Sequence, residues 1–240
     1  MRVVIATDLS EASLAAVDLM TSCSPVAFEQ VALVHAIDLN LYTGGGTVPA
    51  VIELAEERLG EIAADLRAAG FETTVHAVVG PAVEVIERIA AEEGAGLIVT
   101  TNLGHGAVVG RLFGSTAERL TTESRLPVLV TRVGQRDGAW CRLDDSAPFA
   151  RVLVVADDGD SAAQLALVAS LPGVGEVRVV AYGDDPGDEL RDEVDAWNAT
   201  AIVVSPPAYG ALKRALLGST ADRVAKSAEV PVIFVPRERA

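Results

Sequence analysis

Along the first half of the chain, short continuous apolar runs alternate with stretches of helical spacing. Residues 2–7 (RVVIAT) centre on an unbroken apolar run of strand length, the pattern of a parallel strand covered on both faces. Asp8 and Ser10 offer helix-capping side chains ahead of residues 12–20, whose apolar positions recur at helical spacing. Residues 30–37 form a second strand. Gly44-Gly45-Gly46 marks a loop before a long helix over about 48–69. Residues 73–79 alternate as a third strand, and Pro81 suits the first turn of a helix running to about Glu93. Residues 97–101 are the fourth strand. A glycine-containing loop leads to a helix from Ser115, and residues 127–131 close the sheet. Strands alternating with helices predict right-handed crossovers and a five-stranded parallel sheet.

From Gly134 to Pro148 the periodicity is lost, which predicts a linker between a domain over 1–133 and a second over 149–240. The second half restarts with strands at 151–156 and 176–182 around a helix at 161–169. It continues with a helix at 189–197, a strand at 201–205, a helix at 220–226 and a strand at 231–235. Counterparts of the long helix and the third strand are missing. The shortened sheet is left with a bare edge, for which packing against the first domain is the expected cover.

The halves are copies. Residues 114–119 read GSTAER and residues 218–223 read GSTADR. A Pro-Val pair follows each at the same distance, Pro127-Val128 and Pro231-Val232, all at an offset of 104 residues. The beginnings match less closely: VVIATD at 3–8 against LVVADD at 153–158 pairs Asp8 with Asp158 at an offset of 150, so the second copy is about 46 residues shorter inside. A tandem duplication that lost a βα unit explains both offsets.

Composition narrows the function. Half of the 240 residues are hydrophobic, enough for buried cores, and no apolar run is long enough to cross a bilayer. The opening stretch runs straight into Asp8 and reads as a buried strand rather than a signal peptide, so a cytoplasmic protein is expected. Cys23 and Cys141 are too few for a disulfide framework and belong to no Cys/His cluster, so reduced thiols and no metal site are expected. A net charge of −15, with Lys213 and Lys226 the only lysines, argues against a nucleic-acid partner. The acidity fits a solvated surface that favours solubility.

In an open parallel sheet, ligands bind beyond the carboxyl ends of the strands where strand order reverses. Two segments should meet there, the turn Asp8-Leu9-Ser10 and the loop opening Thr101-Asn102-Leu103-Gly104. That loop ends at Gly114-Ser115-Thr116, where backbone N–H groups and hydroxyls would face a phosphate. One helix terminus offers an anion about 0.3–1 kcal/mol, so several convergent donors are required.

The Asp-x-Ser opening after strand one, VHAID at 34–38, and the Gly-Ser-Thr–helix–Pro-Val-Leu-Val ending resemble the universal stress protein family. The resemblance covers nearly all of the first half and most of the second. Nucleotide-binding members carry G-x2-G-x9-G-(S/T). Gly104 and Gly114 keep that spacing, Ser115 and Thr116 follow, and Thr101 stands at the first glycine. The resemblance implies two Rossmann-like domains of the adenine nucleotide α-hydrolase type, the second truncated. It also implies a stress-response regulator holding ATP with Mg2+ in the first domain. Asp8 would then meet the ribose and adenine side, and the backbone of Ala36 the adenine. Thr101, Gly104, Gly114, Ser115 and Thr116 would cradle ribose and phosphates, with His105 and Arg111 nearby to offset charge. A β-branched Thr101 resists the positive φ that a glycine permits. The family's pairing through last strands implies an internal pseudo-dimer of residues 126–131 with 230–235, with a homodimer as a further assembly.

In the second copy the aligned loop reads Ser205-Pro206-Pro207-Ala208, then Gly218-Ser219-Thr220. Two prolines remove backbone donors, so no ATP is expected there. The rival to a nucleotide protein is a ligand-free module that engages an unidentified protein partner; a third reading is an enzyme acting on a small phosphorylated ligand. No nucleophile elbow or Walker lysine loop supports catalysis. His35 reads as a core histidine, His76 has no identifiable partner, and Trp140 and Trp197 read as packing residues. The acidic stretch 184–195 lacks the calcium-loop pattern.

Overall fold

A computed structural model describes residues 1–23, 28, 30–39, 47–103, 114–137, 139–143, 147–156, 161–181, 187–205 and 228–236. The first half supplies β1 (Arg2–Ala6), α1 (Glu11–Thr21), β2 (Gln30–Ile37), α2 (Val48–Ala68), β3 (Thr73–Val79), α3 (Ala82–Glu92), β4 (Leu97–Thr101), α4 (Ser115–Glu123) and β5 (Val128–Thr131). A hairpin follows, β6 (Val133–Arg136) and β7 (Ala139–Arg142). The second half gives β8 (Arg151–Ala156), α5 (Ala162–Ser170), β9 (Glu176–Ala181), α6 (Gly187–Trp197), β10 (Ala201–Val204) and β11 (Val232–Phe234).

One sheet carries nine of these strands in the order β3-β2-β1-β4-β5-β11-β10-β8-β9. The first five pair in parallel, as do the last four. The halves meet where β11 runs antiparallel to β5, setting Val232 against Val130 and Phe234 against Val128. The expected pairing of last strands is therefore present within the chain. Helices cover both faces. Leu59, Ala63 and Leu66 of α2 join Val31, Leu33 and Ile5 in one core, while Val85, Ile86 and Ile89 of α3 join Val4, Ile98 and Leu120 in the other. This burial from both sides explains why the strands read as continuous apolar runs.

Three features depart from the sequence expectations. The segment expected as a linker opens with an ordered hairpin, which pairs Val133 with Arg142 and Arg136 with Ala139. Asp137 in its turn has a left-handed φ of 54°. Trp140 and Val133 pack against Ala12 and Ala15 of α1, which gives the hairpin a core of its own. The bare edge of the second half is not covered by the first, because β9 closes the far end of the sheet. Register also corrects the repeat. Val3 stands against Leu97 and Val152 against Ala201, so the first strands of the two copies are 149 positions apart, and Asp157 rather than Asp158 matches Asp8 in sequence. Asp157, Asp158, the glycines at 44–46, the helix expected at 220–226 and Gly218-Ser219-Thr220 lie outside the described residues.

Candidate functional site

Strand order in the first half reverses between β1 and β4, whose carboxyl ends are the place for a ligand crevice. After β1 the chain makes a tight turn in which Leu9 adopts a left-handed φ of 65°, uncommon for a residue with a branched side chain. Hydrogen bonds hold it there. Leu9 N–H donates to Thr7 Oγ1 at 3.0 Å, and Asp8 Oδ1 accepts from both the N–H and the hydroxyl of Ser10, at 3.0 and 2.5 Å. Ser10 is the cap of α1, its oxygen accepting from Ser13 N–H at 3.2 Å. Asp8 is thus the brace of the capping residue and not the cap itself. His35 Nδ1 lies 2.9 Å from Thr7 O and ties β2 to the same turn, a structural role as expected.

The loop after β4 is pinned at both described ends. Asn102 N–H donates to Thr131 O at 3.0 Å, Asn102 O accepts from Gly114 N–H at 2.7 Å, and Asn102 Oδ1 accepts from Val133 N–H at 2.9 Å. One buried asparagine therefore holds β5, the start of α4 and the hairpin. Sequence reading gave Asn102 no role beyond its place in the loop; an amide directly after an apolar strand was the signal available. Thr101 is buried, donates its hydroxyl to Leu103 O at 2.5 Å, and has no left-handed φ, so the backbone strain expected from a threonine here does not arise.

Helix α4 begins at Gly114 with no side-chain cap. Among the described residues, a Cβ on Gly114 would meet only Asn102 O, at 3.9 Å, an ordinary contact. Asp8, Ala36, Thr101, Gly114, Ser115 and Thr116 all line one cleft, together with Ala82 and Ile86 of α3. The residues that can be described bound about 140 Å3 of it. Gly104, His105 and Arg111 lie outside the described residues. An uncapped helix start and two hydroxyl side chains form a donor set that fits a phosphate, beside a glycine that has no Cβ to intrude. Among the described residues, no group of three or more His, Cys, Asp and Glu side chains is placed to hold a metal ion.

Elsewhere, His76 does have a partner, Glu93 Oε1 at 2.7 Å from its Nε2; Glu93 also accepts from Thr74 and Gln30. Trp197 packs against the core with the Arg178 guanidinium 4.7 Å above its ring, so both tryptophans are packing residues. Cys23 and Cys141 are both free thiols. No helix among the described residues is long and apolar enough to cross a membrane.

A parallel sheet with a donor-lined cleft at its switch point is the architecture of the nucleotide-type α/β proteins. The family model described as the universal stress protein family matches residues 1–132 and 154–236, and the chain belongs to that family. A crystal structure of a universal stress protein from Archaeoglobus fulgidus DSM 4304 aligns over 98% of this chain and 96% of its own, at 24% identity and a TM-score of 0.70. A protein from Pseudomonas aeruginosa PAO1 aligns over 98% of this chain and 92% of its own, at 15% identity and a TM-score of 0.64. These likenesses show the fold. A universal stress protein crystallised in complex with cAMP matches 54% of this chain and 95% of its own, at 26% identity and a TM-score of 0.44. No curated protein sequence matches the chain.

Proposed function

We propose that the chain is a stress-response regulator that binds one adenine nucleotide, ATP with Mg2+, in the cleft of its first half. The observation that carries this reading is the convergence of six residues from four separate segments on the uncapped start of α4. Asp8 takes the ribose and adenine side, the Ala36 backbone the adenine, and Thr101, Gly104, Gly114, Ser115 and Thr116 the ribose and phosphates. The bound nucleotide supplies negative charge that the helix terminus stabilises. The described walls bound less than the roughly 300–1,000 Å3 of a small-molecule pocket, so they hold only part of the nucleotide. Occupancy alters the surface shown to a protein partner.

The test is nucleotide extraction from the freshly purified protein, followed by thermal unfolding across a panel of nucleotides. A nucleotide at 100 times its Kd stabilises the fold by about 2.7 kcal/mol. A protein that carries no nucleotide and whose unfolding is unmoved by millimolar ATP is instead the ligand-free interaction module.

A further inference from the structure

In the first half, Val31 and Leu33 of β2 are 0% exposed, beneath Leu59, Ala63 and Leu66 of α2. Register identifies their counterparts. Val3 and Ile5 stand against Val31 and Leu33, as Val152 and Val154 stand against Val177 and Val179 of β9. Among the described residues the second half has no equivalent of α2 or β3, and Val177 is 41% and Val179 48% exposed. Both remain valines on an open face. β3, at the other end of the sheet, keeps α2 over its Val75 and Ala77.

The bonding direction of this edge is fixed. Glu176 N–H donates to Ala150 O at 2.9 Å, so Glu176 faces β8, and alternation in a parallel pair turns the N–H and C=O groups of Val177 and Val179 outward. In the first copy the matching Val31 N–H donates outward to Glu72 O at 2.8 Å. Among the described residues no strand lies beyond β9.

We propose that the β9 edge binds a second copy of this chain, the two β9 strands pairing antiparallel across a twofold axis at Val177. Charge selects this register. With Val177 on the axis, Glu176 stands opposite the partner's Arg178, and Arg178 opposite the partner's Glu176, two cross-strand ion pairs. Moving the axis to Arg178 would set two guanidinium groups against each other. Arg178 is already held on this face by its ion pair with Glu193 and its stacking on Trp197, so little freedom remains to be lost. Val177 then lies directly against Val177 of the partner subunit while Val179 stands opposite the partner's Gly175, and the antiparallel seam of β5 with β11 is repeated at the outer edge to give a sheet of eighteen strands. This interface is independent of the nucleotide cleft.

The experiment is sedimentation of the full chain, wild type and variants, from low micromolar to about 100 µM at low and high salt. The net charge of −15 opposes association, so the dimer strengthens as salt screens it. Val177→Pro removes an N–H that serves only the outer edge, and a proline is tolerated there. Val179→Lys is the second variant, placing a charge on the same edge without a change of backbone. The expected result is a wild-type dimer whose dissociation constant rises at least about tenfold in both variants, while their unfolding midpoints stay near wild type. A wild type that stays monomeric at high salt overturns the proposal. So does a dimer that both folded variants retain, or open-ended polymers, which signify β9 joining β3 of the next molecule.

Discussion

Val133 donates its backbone N–H to the side-chain oxygen of Asn102 across 2.9 Å, with both residues buried. The hairpin and the loop that bounds the cleft thus share one hydrogen bond. Asn102→Ala leaves the Val133 N–H without this acceptor and should cost about 1–3 kcal/mol in urea denaturation. If Asn102 also sets the loop, ATP affinity falls in the same variant, which titration of the folded protein will show.

Ser10→Ala removes the cap of α1 and the hydroxyl donor on Asp8. Stability should fall by about 0.5–2 kcal/mol, read from the denaturation midpoint at constant m-value. Asp8→Asn retains an acceptor for both bonds and should lose less stability.

Two glycines should behave oppositely. Among the described residues a Cβ on Gly114 makes only an ordinary contact with Asn102 O, so Gly114→Ala should change stability by less than about 1 kcal/mol while weakening ATP at least about tenfold. A Cβ on Gly175 would run into the backbone carbonyl of Ala150, and relief requires β8 or the turn into β9 to shift. Gly175→Ala should therefore cost more than about 2 kcal/mol with no bearing on the cleft.

Burial pushes the Cys23 thiol up to about 11, with the Arg142 charge working weakly in the other direction. An ordinary thiol titrates near 9, so at pH 8 the native thiolate of Cys23 is about a hundredfold scarcer. Alkylation at pH 8 should spare Cys23 in the native state and reach it once guanidinium unfolds the chain. The folded pKa lies above the unfolded one, so this group's contribution to stability is complete below about pH 9 and is lost as pH rises toward 11.

The limits of β2, β3 and β4 were legible to the residue, because strands buried on both faces leave unbroken apolar runs between polar turns. The hairpin was not. Four-residue strands are too short to show a period, and the informative signal was the turn pair Asp137-Gly138, whose φ preferences suit a two-residue hairpin loop. The repeat slipped by one residue because VVIATD and LVVADD slide along a uniform valine run; only pairing with β4 and β10 fixes the register. The partner of His76 was hidden because Glu93 reaches it through the packing of α3 on the sheet, a contact set by tertiary structure alone. The residues of the cleft were legible as a group because glycines, hydroxyls and an Asp-x-Ser turn mark the ends of strands whatever they bind.

Calorimetric titration of the intact chain with MgATP, alongside Gly114→Ala, tests the central claim most directly. The account predicts one nucleotide per chain, with saturable heat in the wild type and at least about tenfold weaker binding in the variant. Absence of heat at millimolar ATP, or equal binding by both proteins, would contradict it.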